Sequence, residues 1–266
     1  MRRFWFILRA CIATLVSLQA SASTLDTIVI DSGVDDPIRI AITPFKVMGN
    51  LQTEAGINDI VSFDLARSGQ FDPLNAENML SHPSNRQQVF FRDWRILKVQ
   101  YLVIGTVQAV EEGRWEIGFE MYDVPNERQL LVRKYNIALS QWRELAHRIS
   151  DAVYEEVTGV RGAFSTKIMY VLAQNVGTSA ATYRLEIADS DGERSRTLLA
   201  SRKPILSASW APDGKRVAYV TFETGRPSIV IQDVNGTYRE RLTNFSGLNG
   251  SPVFSPDGSQ MAMVLS

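Results

Sequence analysis

The chain has 266 residues, of which 45% are hydrophobic and 21% charged. These ordinary globular proportions exclude a wholly disordered chain and a multi-span membrane protein. The length suggests two domains of roughly 100–200 residues. With 28 basic and 29 acidic residues the net charge is −1, which speaks against a nucleic-acid binder. One Cys and two His are too few for a Cys/His zinc cluster.

The first segment reads as an address. Arg2, Arg3 and Arg9 form a positive start. The apolar stretch from Ala10 to Leu18 is shorter than the ~20 residues that span a bilayer, and Ala20-Ser21-Ala22 is a small-x-small cleavage site. The expectation is a secretory signal over residues 1–22, cut between Ala22 and Ser23, with no membrane span afterwards. Removal takes away three arginines, no acidic residue and the only cysteine, which leaves a net charge of −4. A cysteine-free mature chain suits an oxidising compartment.

Residues 23–160 mix strand and helix signals. The apolar run 28–30 stops at Asp31-Ser32-Gly33. Ile38-Arg39-Ile40-Ala41-Ile42 alternates strictly and then meets Pro44, as a strand end does. Thr53 is placed to cap a helix with Ile57, Ile60, Val61 and Leu65 on one face and Gly69 at its C-terminal end. A second helix is expected from Asp93 to Lys98, and a strand from Tyr101. Two further strands are expected over Trp115 to Tyr122 and Gln129 to Ile137. Ser140 is read as the N-cap of a long helix carrying Trp142, Leu145, Ala146, Ile149, Val153 and Val157, with Gly159 ending it. Parallel βα pieces followed by a β meander make an α/β domain.

From residue 163 onward helical periodicity is absent and a repeat takes over. Trp210-Ala211-Pro212-Asp213-Gly214 matches Phe254-Ser255-Pro256-Asp257-Gly258 at an offset of 44 residues. The same offset aligns Leu185 with Ile229, Asp189 with Asp233 and Gly192 with Gly236. Ile168 to Val171 pairs with Val217 to Val220 at 49, so five extra residues are expected in the earlier hairpin loop. A period of ~40–45 with four strand signals is that of a β-propeller blade. Asp213 and Asp257 are read as turn-formers, because Pro presets φ, Asp caps the turn and Gly takes positive φ. The fold class is thus an α/β N-terminal domain followed by an incomplete all-β propeller over residues 163–266, with about two blades. Closed propellers have four to eight. An end in mid-strand implies a longer protein.

No catalytic constellation is legible. A nucleophile elbow and a phosphate loop are both missing from the sequence. His82 lies in a loop, and His147 reads as a structural histidine beside an apolar helix face. Glu155 and Glu156 are adjacent, so they do not face each other and form a solvated surface. Asp35 and Asp36 read as a surface turn. Asp189, Asp191 and Gly192 faintly resemble a calcium loop whose later ligands are lacking. No catalytic residue, metal or cofactor is assigned.

Several longer strings resemble the TolB family of the Tol–Pal cell-envelope system. They are Ile28-Val29-Ile30-Asp31-Ser32-Gly33-Val34 with Pro44-Phe45, Asp64-Leu65-Ala66-Arg67-Ser68-Gly69-Gln70-Phe71, Val157-Thr158-Gly159, Ala218 to Glu223, and Asn249-Gly250-Ser251-Pro252-Val253-Phe254. The resemblance runs along the whole chain. It implies a six-bladed propeller and a periplasmic scaffold with no enzymatic activity and no cofactor. It also implies two partners, TolA and the lipoprotein Pal, with other outer-membrane proteins as further ones, and a role in outer-membrane integrity and envelope constriction at cell division. TolA binding carries over to the mature N-terminal segment, Ser23, Thr24, Leu25, Asp26, Thr27, Ile28, Val29, Ile30, Asp31, Ser32 and Gly33. Pal binding carries over to an inter-blade loop, Leu248, Asn249, Gly250 and Ser251, and to its equivalent one blade earlier, Pro204, Ile205, Leu206 and Ser207. Leu248 stands where the family often has His. The competing reading is the propeller of a secreted serine peptidase of prolyl-oligopeptidase type, which would need a hydrolase domain that this chain does not contain.

Overall fold

Alternation decides the first strand of the computed structural model, which describes residues 36–49, 55–111, 113–243 and 245–266. These belong to one compact unit, Val34–Ser266. The signal segment, the cleavage pair Ala22 and Ser23, the strand signal at 28–30, Asp35 and the cap at Thr53 lie outside the described residues. Strand β1, Ile38–Ile42, buries Ile40 and Ile42 on one side of a sheet and Ala41 on the other, as the two-residue period requires. β2 (Lys46–Met48), helix α1 (Ile57–Arg67), β3 (Phe71–Pro73), helix α2 (Phe91–Ile96), β4 (Tyr101–Glu111), β5 (Arg114–Asp123) and β6 (Arg128–Ala138) follow. Helix α3, Trp142–Thr158, completes the domain.

The sheet order is β3-β1-β4-β5-β6, with β2 also paired to β4. β3, β1, β2 and β4 are parallel, whereas β4, β5 and β6 form an antiparallel meander. Helices α1 and α3 cover one face through Ile57, Val61, Leu65, Leu145, Ile149 and Val153, packed on Val103, Ile117, Phe119 and Met121. α2 covers part of the other face, with Trp94 against Leu102, Ile104 and Tyr122.

Three local expectations shift. The long helix is not capped by Ser140. A 3-10 turn, Leu139–Gln141, precedes it, in which Gln141 Oε1 accepts from the Ala138 N–H at 3.2 Å. Trp142 Nε1 then pins the helix start by donating to the Ala55 carbonyl at 3.0 Å. The short helix is Phe91–Ile96 rather than 93–98, because Lys98 turns left-handed at φ 58° and ends it. The five extra residues of the first hairpin fall mostly within its strands. β7 (Lys167–Gln174) and β8 (Thr182–Asp189) have 8 residues each, whereas β11 (Arg216–Thr221) and β12 (Ser228–Asp233) have 6 each. A hairpin lengthened by whole pairs keeps its ladder intact, which a longer loop would not improve.

From β7 onward only strands are described. β7, β8 and β9 (Arg196–Ser201) form a three-stranded sheet. β10 (Ile205–Trp210), β11, β12 and β13 (Arg239–Arg241) form a complete four-stranded blade, and β14 (Asn249–Phe254) with β15 (Met261–Leu265) form a pair. Leu185, Ile187, Ile205, Val217, Tyr219 and Val230 make the core between the first two sheets. Arg196 ties the same sheets at their edge, donating to the Val234 carbonyl and Asn235 Oδ1, both at 2.8 Å. Asp213 Oδ1 accepts from Lys215 N at 2.8 Å and Asp257 Oδ1 from Ser259 N at 3.0 Å, with Gly214 and Gly258 at φ 65° and 71°. Both aspartates therefore shape turns. No described helix is long and apolar enough to cross a membrane.

Candidate functional site

The positions assigned to Pal sit at strand starts rather than in loops. Ile205 pairs with Thr221 and Asn249 with Leu265, so β10 and β14 have already begun there, and only Pro204 and Leu248 precede them. The chain leaves the ladder two residues later. Between Leu206 and Ser209, and again between Gly250 and Val253, the register shifts. Ser207 and Ser251 lie in these bulges, which give the first strand of each sheet a local bend. Ile205 and Asn249 are buried, whereas Leu206, Ser207, Leu248 and Ser251 are exposed. Asn249 Nδ2 donates to the Phe245 carbonyl at 2.9 Å, a bond that fixes the approach to β14.

These strand starts lie at one end of the sheets, and the α/β domain docks at the other. Lys167, at the start of β7, faces Asp189 at the end of β8, as Arg216 faces Asp233 one blade later. The β8–β9 turn is therefore at the same end as the Pro212-Asp213-Gly214 turn. β10, of 6 residues, separates that end from Ile205 by about 20 Å at the usual strand rise.

The β8–β9 turn reaches into a seam against α1 and α3. Arg67 NH1 and NH2, on α1, donate to the Ser190 carbonyl at 3.0 Å and to Ser190 Oγ at 3.2 Å. Ser190 Oγ in turn donates to the Phe164 carbonyl at 2.7 Å, which ties the turn to the inter-domain linker. Arg143, on α3, is paired through NH2 with Asp191 Oδ2. Asp189 accepts from Lys167 Nζ and Arg194 Nε, both at 2.7 Å. Burial alone would raise the Asp189 carboxyl. The hydrogen bonds and charges of Arg194 and Lys167 outweigh it and hold that carboxyl below the usual carboxylate range. The linker is itself held by Asp151, whose carboxylate accepts from Phe164 N at 2.7 Å and Ser165 N at 3.2 Å.

At the centre of the seam is His147, only 2% exposed. Its Nδ1 lies 2.7 Å from Asp64 Oδ2, on α1, and its Nε2 lies 3.6 Å from Asp191 Oδ2. Ser150 Oγ also donates to Asp64 Oδ2 at 2.7 Å. A carboxylate only accepts, so Nδ1 carries the hydrogen shared with Asp64. Asp64, His147 and Asp191 bring one donor atom each within 4.8 Å of one another, a spacing that invites the idea of a cation. The residues do not fit one. Asp64 Oδ2 already takes Nδ1, the Arg67 guanidinium lies 3.6 Å from Asp64 Oδ1, and Arg143 already neutralises Asp191, so both carboxylates are already balanced by cations or donors of the chain.

In the sequence Asp189 and Asp191 read as an incomplete calcium loop, and the structure gives them a different task as anchors of the seam. His147 is structural, as its place beside the apolar helix face implies, and its neighbours are Asp64 and the β8–β9 turn. The signal was available in part. Asp64 falls on the apolar face defined by Ile57, Ile60, Val61 and Leu65, and Ser150 on that of Leu145, Ala146, Ile149 and Val153. Polar residues on apolar stripes require buried partners. Of the other titratable residues, Asp36, Glu155 and Glu156 are exposed, and His82 Nε2 lies 3.4 Å from the Ala76 carbonyl. Residues 23–33 lie outside the described residues.

Comparison with known proteins agrees with this architecture. The model of the TolB amino-terminal domain matches residues 26–130, and that of the TolB beta propeller domain matches residues 154–266. A curated relative from Alcanivorax borkumensis, named Tol-Pal system protein TolB, is 42% identical over 267 aligned residues, which cover 100% of this chain and 60% of the relative. One of the same name from Pseudomonas aeruginosa is 41% identical, over 92% of this chain and 56% of the relative. The crystal structure of TolB from Acinetobacter baumannii superposes with a TM-score of 0.77 at 40% identity, covering 87% of this chain and 56% of that one. The chain thus spans a little over half the length of these relatives.

Proposed function

This chain belongs to the TolB family, and we propose that it serves as a periplasmic scaffold of the Tol–Pal system, without catalysis of its own. In this reading residues 23–33 hold TolA, and the propeller end bearing Leu206, Ser207, Leu248 and Ser251 holds Pal. The role follows as a link between inner- and outer-membrane components that supports outer-membrane integrity and constriction at division. The observation that carries the reading is the separation of the two ends of the sheets. The α/β domain occupies the end with the β8–β9 turn, and the strand starts at the opposite end leave Leu206 and Leu248 about half exposed. A face left open by its own domain, with apolar residues and bent strand starts, suits a protein partner. The N-terminal segment, with its apolar run 28–30, can add as a strand to a partner's sheet edge.

Calorimetric titration of soluble Pal and of the soluble part of TolA into the processed, full-length protein tests this reading. A second protein lacking residues 23–33 is the control. The reading expects TolA binding to vanish in the deletion and Pal binding to persist in both. Failure of both proteins to bind Pal would remove the scaffold assignment for the propeller.

A further inference from the structure

The seam holds a group whose hydrogen bonding is half complete. His147 donates through Nδ1 to Asp64 on α1, while its Nε2, buried, has no hydrogen-bond partner. The atom it faces is an oxygen of Asp191, 3.6 Å away on the β8–β9 turn. With neutral imidazole, two acceptors face each other across that gap and nothing joins them. Arg143 and Arg67 then hold the turn without His147.

We propose that His147 is a proton-operated latch between the α/β domain and the propeller, which on taking a proton at Nε2 donates to Asp191 while keeping its bond to Asp64. Protonation turns the unpartnered acceptor into a donor aimed at a carboxylate of the other domain. One ring then bridges α1, α3 and the β8–β9 turn through two charge-assisted hydrogen bonds. The balance of charge decides whether a buried imidazolium is tolerated. Its two nearest neighbours, Asp64 and Asp191, are both carboxylates. Arg67 and Arg143 oppose the proton, although each sits against one of those carboxylates. Glu144, Arg148 and Asp151 lie on α3 itself, and Asp189, Glu193, Arg194 and Lys167 face the seam from the first blade. Burial costs the charged ring hydration, and the two hydrogen bonds offset that cost only if both form. A cleft of about 290 Å³ lined by Gln141, Glu144, His147, Lys167, Asp189 and Arg194 adjoins this residue.

The test is residue-resolved in the full-length protein. Ring-nitrogen NMR of His147 reports its protonation, and amide hydrogen exchange of residues 190–193, corrected for intrinsic rates, reports how firmly the turn is docked. Both are followed from about pH 8 to about pH 5.5, which brackets the ordinary histidine range near 6.5. The latch expects protection of the turn to rise about tenfold as Nε2 takes its proton, the worth of one charged hydrogen bond. His147→Gln should abolish the pH dependence. Asp191→Asn keeps the histidine and covers the case in which the first variant does not fold. An asparagine amide can donate to neutral Nε2, so the turn should lose its tightening on acidification. A ring that stays neutral to pH 5.5, protection that falls as the ring protonates, or an unaltered pH dependence in Asp191→Asn would each overturn the latch.

Discussion

Ser207 and Ser251 occupy the same place in successive sheets and share a left-handed backbone, at φ 49° and 50°. Each interrupts the pairing of its strand, one between Leu206 and Ser209 and the other between Gly250 and Val253. A 44-residue repeat has thus kept a strained conformation as well as a sequence pattern. The strain belongs to the first strands of these two sheets, β10 and β14, next to the surface proposed for Pal.

A left-handed residue with a side chain costs roughly 1–2 kcal/mol, and a β-branched one suffers most. Ser207→Val should therefore lower stability by about 1–2 kcal/mol. Ser207→Gly should match or exceed the parent protein, because glycine adopts this conformation freely. Urea unfolding of the three proteins checks the order. A valine variant as stable as the glycine one would show that the bulge relaxes rather than holds.

The inter-domain linker makes a tighter demand at Gly162. A Cβ there would lie 2.6 Å from both the Cα and the Oδ1 of Asp151, the residue whose carboxylate holds Phe164 N and Ser165 N. The helix backbone cannot yield to relieve the first of these contacts. Gly162→Ala should cost about 1–3 kcal/mol, in the range of overpacking. It should also raise hydrogen exchange at Phe164 and Ser165 before it affects the sheet of the α/β domain. Thermal unfolding with exchange measured at those two amides separates local release from global loss.

Acid should act on the seam through Asp189. Its carboxyl is held below the usual carboxylate range in the folded chain. The stability it supplies is therefore fully present above the unfolded value near 3.9 and is lost as pH falls through the lower folded value. Asp189→Asn should cost about 1–3 kcal/mol at neutral pH, since Lys167 and Arg194 would each lose a charged partner while remaining partly solvated. The difference between variant and parent should shrink below about pH 4. Unfolding free energies at several pH values check both statements, and a constant difference down to pH 2 would contradict them.

Local pattern made most of the architecture legible. Ile38–Ile42 alternates, the meander strands are long and bounded by turns, and two Pro-Asp-Gly steps mark the repeat. The seam was not legible, because its contacts join residues far apart in sequence. Asp64 and His147 are 83 positions apart, and Arg143 and Asp191 are 48 apart. No periodicity encodes such a pairing. The bulges escaped for another reason: serine rather than glycine takes the positive φ, so the usual marker is missing. The start of the long helix escaped because the bond from Ala138 N to Gln141 Oε1 set up a preceding 3-10 turn that Ser140 alone does not announce.

The partner surface can be tested without disturbing the fold. Leu206 and Leu248 are 49% and 50% exposed, so a charge at either should change stability by no more than about 0.5 kcal/mol. Leu206→Glu and Leu248→Glu should nevertheless weaken Pal binding by about tenfold or more if these side chains sit near the centre of the interface, where truncations cost most. Lys215→Glu provides the control, because Lys215 is exposed in the turn at the opposite end of the blade. That substitution should leave Pal affinity unchanged within about twofold, apart from a long-range effect that added salt removes. Titration of Pal into the three variants therefore locates the interface by the end of the blade at which it lies. Loss of affinity in Lys215→Glu, with both leucine variants unaffected, would move the Pal surface to the end where the α/β domain docks.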